Sequence, residues 1–499
     1  MRPLEGLLSL ANLLTLAALA LPLPPALRQL RHLAPVALVI AAVHVLVERP
    51  RWQMVPAYVL SGLLVVVWLV AVLGAADGLV GQRWLRWLAA TAGVVVLAVS
   101  MALPIIVPVF RLPRPTGPYA VGTVTHHWVD EGREEIFTAG SGDHRELMAQ
   151  IWYPAAAGAS GTRSRYVDDA AALAAAVQGQ LPYPGALLRH LGLVTTNAVT
   201  SAPVADGEPS YPVLLYLSGL YGFRQVNTVQ VEELASRGYV VVGLDQPYAA
   251  ASVRFPDGRR VRGWPVDEMR VLVRPRLGPR LGFGSGPPRL HGRELPEGVA
   301  PYLAQDAVSA LDQLAALNRS DPQGLLTGRL DLERSGLFGV SLGGIDGAEA
   351  CKVEPRLRAC ILIDATMPDD VAAAGLPQPA MWLTRDGEVM RREGWPRYEI
   401  DDHVRSMRAA FERSQADRYL VEIDGAYHLD FTDAPLWFPV ARWLGVSGPI
   451  GGSRAHRIVN DWSAAFFDRY LRGVPAALLD GPGVAHPEVH LETRRASAR

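Results

Sequence analysis

The sequence predicts an α/β protein, a mostly parallel central sheet with flanking helices, preceded by an N-terminal bundle of about four transmembrane helices. Three observations carry this prediction. Residues 1–110 contain only ten charged side chains, separated by four long apolar stretches. From Val121 onward, short β-rich runs alternate with helical ones, as they do where parallel strands are joined by crossover helices. Near residue 340 an apolar strand runs into a glycine-rich turn and then into a helical pattern. At 499 residues the chain exceeds one ordinary folding unit. We place the boundary in the proline-rich segment 111–119, giving 1–112 as a membrane anchor and 113–499 as an α/β domain.

The apolar stretches are Leu7–Leu23, Leu33–Val47, Met54–Ala76 and Leu88–Phe110. A helix needs roughly 20 apolar residues to cross a bilayer core; the last two reach that length and the first approaches it. The second is short and holds His44, so it reads as a tilted span or a re-entrant piece. Trp52, Trp84 and Trp87 stand at stretch edges, where interfacial aromatics gather. With four spans, Arg2, Arg49, Arg51, Arg111 and Arg114 share one side, and Arg28, Arg31, Arg83 and Arg86 the other. That near tie leaves the orientation open. The stretches carry no acid or lysine of the kind that lines an ion path. The expectation is a multi-pass anchor whose partner is the lipid bilayer.

Beyond the boundary, strands are predicted at Met148–Tyr153, Val213–Leu217, Val240–Leu244, Gly336–Val340, Cys360–Asp364, Ala380–Thr384 and Arg418–Ile423. Several are continuous apolar runs, suited to strands covered on both faces. Helices are predicted at Thr228–Arg237, Tyr302–Leu317, Ile345–Val353, His403–Glu412 and Arg457–Leu471. Tyr166–Val177 reads as a lid, a membrane-touching helix or a plain surface helix. Residues 253–300, rich in Arg, Pro and Gly, read as a long loop. From Arg111 onward there are 41 basic and 46 acidic side chains, and the whole chain has a formal net charge of −1. No basic field for nucleic acid exists. Two cysteines exclude a disulfide scaffold or a cysteine-based zinc module; Cys351 and Cys360 read as small buried residues, able to pair only in an oxidising compartment. Neighbours on a strand point to opposite faces, so His126 and His127 do not chelate together. Neither metal nor cofactor is expected.

The chemistry is written in Gly339-Val340-Ser341-Leu342-Gly343. The G-x-S-x-G pattern alone is weak evidence, but here a strand enters it and a helix leaves it, the setting of the nucleophile elbow in α/β-hydrolases. The serine occupies a strained turn, so residues two positions to either side must be small. A serine hydroxyl becomes nucleophilic only when a base takes its proton and a carboxylate orients that base. In this fold the acid and then the histidine follow the serine in the chain. His428 lies in a loop after the strand Arg418–Ile423, where the base belongs. His403 and His456 sit in or beside helical patterns, and His486 and His490 in an expected C-terminal tail. Asp364 and Asp386 both follow strands, and spacing does not separate them as the acid.

The second part resembles the plasma-type platelet-activating factor acetylhydrolase family, isoform II, over most of residues 115–475. Stretches carrying the resemblance include 117–122, Ile151-Trp152-Tyr153-Pro154, 216–224, 235–241, the elbow, 362–368 and 425–431. The resemblance implies a calcium-independent serine esterase with Ser341 as nucleophile, Asp364 as acid and His428 as base. It also implies an oxyanion hole formed by the amides of Leu220 and Leu342. Leu217-Ser218-Gly219-Leu220 departs from the family's Ser-His-Gly-Leu, and Val340 replaces the histidine common before the nucleophile. The implied activity is a membrane-anchored serine hydrolase acting on carboxylic esters, with short-acyl phospholipid-like substrates. The alternatives are a polyester- or dienelactone-type esterase on small soluble substrates, and a non-catalytic membrane interaction protein.

Overall fold

The computed structural model describes residues 1–73, 83–140, 142–481 and 485–496. The chain divides into two compact units, Met1–Phe110 with Trp437–Val440, and Arg111–Leu436 with Ala441–Arg499.

The first unit is built from α1 (Pro3–Ala20), α2 (Ala34–Val47), α3 (Val55–Val72) and α4 (Arg83–Ile106). Four helical stretches are long and apolar enough to cross a membrane. The end of the predicted stretch Met54–Ala76 lies outside the described residues. Apolar side chains face both ways: Leu8, Leu16, Met54, Leu60 and Leu97 are buried between the helices. Leu7, Leu10, Val39, Leu63, Val66 and Val95 are exposed, whereas Ser9, Asn12, Thr15, Ser61 and Ser100 are buried. Asn12 donates to the Ala57 carbonyl (3.1 Å), and Ser61 donates to the Asn12 side-chain oxygen (2.9 Å).

Sequence reading overlooked the charges here. Glu5 is fully buried at the start of α1 and accepts hydrogen bonds from Arg51 and Arg2, each at 2.8 Å. His44 stands 2.7 Å from the Tyr58 hydroxyl and 3.0 Å from an Arg2 nitrogen. Glu5, His44 and Glu48 bring ligand atoms within 4.8 Å of one another, but Arg2 pairs with both acids and Arg51 with Glu5. Two guanidinium groups thus balance the two carboxylates.

The second unit holds a sheet of eleven described strands: β1 (Ala120–Glu134), β2 (His144–Ala155), β3 (Arg163–Arg165), β4 (Thr195–Thr200), β5 (Tyr211–Leu217), β6 (Val240–Asp245), β11 (Leu330–Val340), β12 (Leu357–Ile363), β13 (Ala380–Thr384), β14 (Arg418–Ile423) and β15 (Val489–Arg494). Two hairpins lie outside it, β7 (Ser252–Arg254) with β8 (Arg260–Arg262), and β9 (Arg289–Leu290) with β10 (Arg293–Glu294). Sheet order is β15-β14-β13-β12-β11-β5-β6-β2-β1-β4-β3. The central run from β14 to β6 is parallel, and β15 and β2 join its two sides antiparallel. Strand β5 is buried throughout, and so is the run Ser335–Val340 of β11.

Helices α5 (Ala170–Val177), α6 (Thr228–Ser236), α7 (Val266–Val273), α8 (Ala300–Arg319), α9 (Leu342–Val353), α10 (Asp369–Ala374), α11 (Gly387–Glu393), α12 (Arg397–Arg413) and α13 (Gly452–Leu471) complete the unit. From β5 the chain steps to β6 on one side and then returns to β11 on the other. Order therefore reverses at the carboxyl ends of β5 and β11, the place where open α/β sheets form ligand crevices.

The seven predicted strands are all present. Strands β1, β3, β4 and β15 of this sheet were not foreseen. The expected tail instead supplies β15, whose His490 pairs with Asp424 at 2.9 Å. The expected loop 253–300 is also structured. It forms most of both hairpins and α7, and its Met269, Leu272 and Leu290 join an apolar cluster containing Leu342, with Leu220 and Trp264 packed against it. Alternating Arg, Pro and Gly hid this, because its apolar residues match no single period. Cys351 and Cys360 form a disulfide between the end of α9 and β12.

Candidate active site

Strand β11 ends at Val340, and Ser341 takes φ 57° and ψ −117° before α9 begins at Leu342. A non-glycine residue in that region is strained, and such strain persists only where the surroundings impose it. The glycines explain how. A Cβ on Gly339 would collide with the Gly343 carbonyl, and one on Gly343 would collide with the Leu217 carbonyl and lie 2.7 Å from that of Ser218. Strand, turn and helix fit only without those side chains. Gly343→Ala is expected to destabilise the fold by about 2 kcal/mol and to displace the Ser218–Leu220 loop, read out as a lower melting temperature together with reduced ester turnover.

The turn after β5 faces the elbow. A Cβ on Gly219 would lie 3.1 Å from Cβ of Ser341. The main-chain N–H groups of Leu220 and Leu342 donate to no protein acceptor among the described residues, so both are available to an incoming oxyanion. Leu342 is buried and Leu220 half-buried.

Asp364 follows β12 directly, with φ 44°. The Ser341 N–H donates to the Ile363 carbonyl (2.9 Å), and the Asp364 N–H donates to the Leu383 carbonyl (2.8 Å). Ser341 and Asp364 are thus placed by the ends of adjacent parallel strands. The Asp364 carboxylate is fully buried and lies 2.5 Å from Nδ1 of His428. Its Oδ2 also accepts from Nε of Arg385 (2.9 Å), and its Oδ1 from the Thr384 hydroxyl (3.2 Å). Burial alone would raise this acid, but the Arg385 charge and the His428 hydrogen bond outweigh it and hold the carboxyl well below the usual range.

His428 sits half-buried after β14, in a turn pinned by Asp430, which accepts from the N–H groups of Tyr427 (2.8 Å) and Gly448 (2.7 Å). With Nδ1 on the carboxylate, Nε2 is the nitrogen left for proton transfer. Ser341 Oγ makes no hydrogen bond to it among the described residues; catalytic contacts of this kind often close only when substrate binds.

Asp386 does something else. It caps α11, accepting from the Val389 N–H at 2.8 Å. The other histidines also have structural partners. His403 is buried, 3.1 Å from the Thr384 hydroxyl, and burial pushes it down to about 4, so it is neutral. His456 faces the Thr432 carbonyl (2.8 Å), and His486 faces Asp461 (3.2 Å). His127 pairs with Glu146 (2.6 Å), while His126 stacks on Trp128.

Sequence reasoning missed Arg385, Glu393 and Trp395. Glu393 accepts from Arg385 and from the His428 N–H (3.2 Å). Arg385 lies over the Trp395 ring at 4.8 Å, and that ring meets the His428 imidazole edge-on at 5.3 Å.

Comparison with known proteins places the chain beside ester hydrolases. A family model described as platelet-activating factor acetylhydrolase, isoform II, matches residues 106–256. Platelet-activating factor acetylhydrolase of Cavia porcellus is 25% identical over 305 residues, covering 59% of this chain and 65% of that protein. The enzyme of Canis lupus familiaris is 23% identical, covering 56% and 61%. The chain therefore spans just under two thirds of the curated relatives it matches. A solved ferulic acid esterase from Streptomyces cinnamoneus superposes with a TM-score of 0.59 at 27% identity, covering 77% of this chain and 99% of that one. The second unit has an α/β-hydrolase fold. The resemblance read from the sequence holds, and the solved esterase aligns with more of the chain than the family model matches.

Proposed function

We propose that the protein is a membrane-anchored serine hydrolase that cleaves carboxylic esters, with residues 1–112 as anchor and 113–499 as catalytic domain. The observation that carries the reading is the buried Asp364 carboxylate on Nδ1 of His428 at 2.5 Å, with Ser341 held in a strained elbow between β11 and α9. Ser341 Oγ attacks the ester carbonyl as His428 Nε2 takes its proton. The amides of Leu220 and Leu342 receive the charge on the carbonyl oxygen. His428 then protonates the leaving alcohol, and water repeats the sequence on the acyl-enzyme. Asp364 holds the imidazole tautomer and stabilises the imidazolium, and no step calls for a cofactor. The experiment is labelling with a fluorophosphonate probe and mapping of the modified residue. Modification at Ser341 is expected; an unlabelled intact protein favours a non-catalytic interaction module.

The substrate we favour is a short-acyl, phospholipid-like ester, following the acetylhydrolase relatives. The solved ferulic acid esterase supports a second reading, a small soluble ester. A panel varying acyl length and headgroup separates them: preference for lipid headgroups supports the former, and indifference to them the latter.

The exposed apolar faces of the first unit support the membrane anchor, since they match hydrocarbon, and buried Glu5, Asn12 and Ser61 find partners within the unit. The Cys351–Cys360 disulfide supports placing the hydrolase domain in an oxidising, extracytoplasmic compartment. With four spans, Arg28 and Arg31 then fall on the cytoplasmic side, and they have no acidic partner among the described residues, whereas Arg2 and Arg51 are paired with Glu5. When cells are denatured in the presence of a maleimide reagent, the two buried cysteines are expected to be modified only if a reductant was added first. Modification without a reductant would place the domain in the cytoplasm.

A further inference from the structure

Around the acid–base pair lies a charged group for which the proposed mechanism has no step. Arg385, at the end of β13, is fully buried. It donates Nε to the same Asp364 oxygen that faces His428, and Nη1 to Glu393. Glu393, at the end of α11, takes the His428 main-chain N–H on its other oxygen (3.2 Å). Trp395 is packed between the guanidinium and the imidazole. Carboxylate, guanidinium, second carboxylate and histidine backbone therefore close a ring around the base.

The charges in this ring are ordered. Two carboxylates contact His428, Asp364 at the ring and Glu393 at the main-chain N–H, while Asp430 of the same turn is bound by the N–H groups of Tyr427 and Gly448 and by the Ser447 hydroxyl. A carboxylate without a counter-charge beside an imidazole favours the ring's charged form. Arg385 opposes both Asp364 and Glu393. His403 of α12 also faces Asp364, 3.8 Å away, but it is neutral, and Arg274 lies beyond it against Asp402. Arg385 is thus the cation that directly touches the pair.

We propose that Arg385 and Glu393 are positioning residues that set, with opposite signs, the pH at which His428 becomes a working base. The inference rests on the Ser341–His428–Asp364 reading. Arg385 holds one Asp364 oxygen toward the imidazole and offsets the surplus negative charge. Glu393 anchors the His428 main chain and supplies that charge.

The test is the pH profile of kcat/KM for a short-chain p-nitrophenyl ester on the full-length protein. Removing the guanidinium leaves two acids unopposed, so Arg385→Met is expected to move the acid limb up by about one pH unit. Glu393→Gln leaves the guanidinium opposed only by Asp364 and is expected to move the limb down by about half a unit. Arg385→Lys, which keeps the charge without the planar fork, is expected to keep the wild-type limb while losing about tenfold in kcat. A purely structural role would lower kcat or stability without displacing the limb in opposite directions. Unmoved limbs, or limbs moving the same way, overturn the proposal. If Arg385→Met does not fold, the direction for Glu393→Gln decides, with an unmoved or raised limb overturning it. Fluorophosphonate labelling keeps the two levels apart: a labelled Ser341 with unmoved limbs refutes this inference alone, whereas an unlabelled Ser341 refutes the triad beneath it.

Discussion

Ser341→Ala is expected to lower hydrolysis of short-chain p-nitrophenyl esters by about 10⁵-fold or more, with expression and melting temperature unchanged. The magnitude follows from what the hydroxyl does: without it no acyl-enzyme forms, and only oxyanion stabilisation and binding remain. The fold should tolerate the change, because Ser341 is half-buried and its Cβ is retained. The strained φ of 57° belongs to the turn, and alanine meets the same backbone restriction as serine. Turnover persisting near the wild-type level in the purified variant would mean that another group attacks the ester.

Asp364→Asn is expected to cost about 10⁴ in kcat, and Asp386→Asn less than about threefold. An amide at 364 faces three neighbours that now donate to a carboxylate: His428 Nδ1, Arg385 Nε and the Thr384 hydroxyl. It would present an N–H₂ where an acceptor is needed, or force the imidazole into the tautomer that cannot take the serine proton. Asp386 does its work as a helix cap, and asparagine caps about as well. Steady-state kinetics on the two variants gives the ranking, and a larger loss at 386 would reverse the assignment. Because Asp364 is held far below its ordinary range, its charge persists through mildly acidic solution, so loss of activity on moderate acidification is not expected to come from this carboxylate.

Much of this arrangement was legible in the sequence. Strands β5, β6, β11, β12 and β13 are dense apolar runs bounded by turn residues, and burial on both faces gives them that signature. Ser341 was legible because the elbow's sterics demand glycine at fixed offsets. His428 was legible because a loop after a late strand is where the base must stand. Asp364 and Asp386 looked alike from spacing alone, since both follow strands; what distinguishes them is where each carboxylate points. The partners Arg385, Glu393 and Trp395 left no trace for the same reason. Each is an ordinary residue at an ordinary spacing, and only the pairing of β12, β13 and β14 collects them. Glu5 was passed over because a lone acid at the edge of an apolar stretch looks like a flank, and its role depends on Arg51 arriving from another helix. Strand β15 and the 253–300 segment were misread because short edge pieces and hairpins owe their form to neighbours more than to their own periodicity.

The reversal of strand order beside β5 bears on biogenesis. The oxyanion turn at 220 and the base at 428 are supplied by opposite halves of the hydrolase unit, and strands β11 to β14 are synthesised between them. A nascent chain emerging from the ribosome cannot assemble this chemistry until its final parallel strand has docked. The proposed active site is therefore complete only once the chain has been made past residue 428.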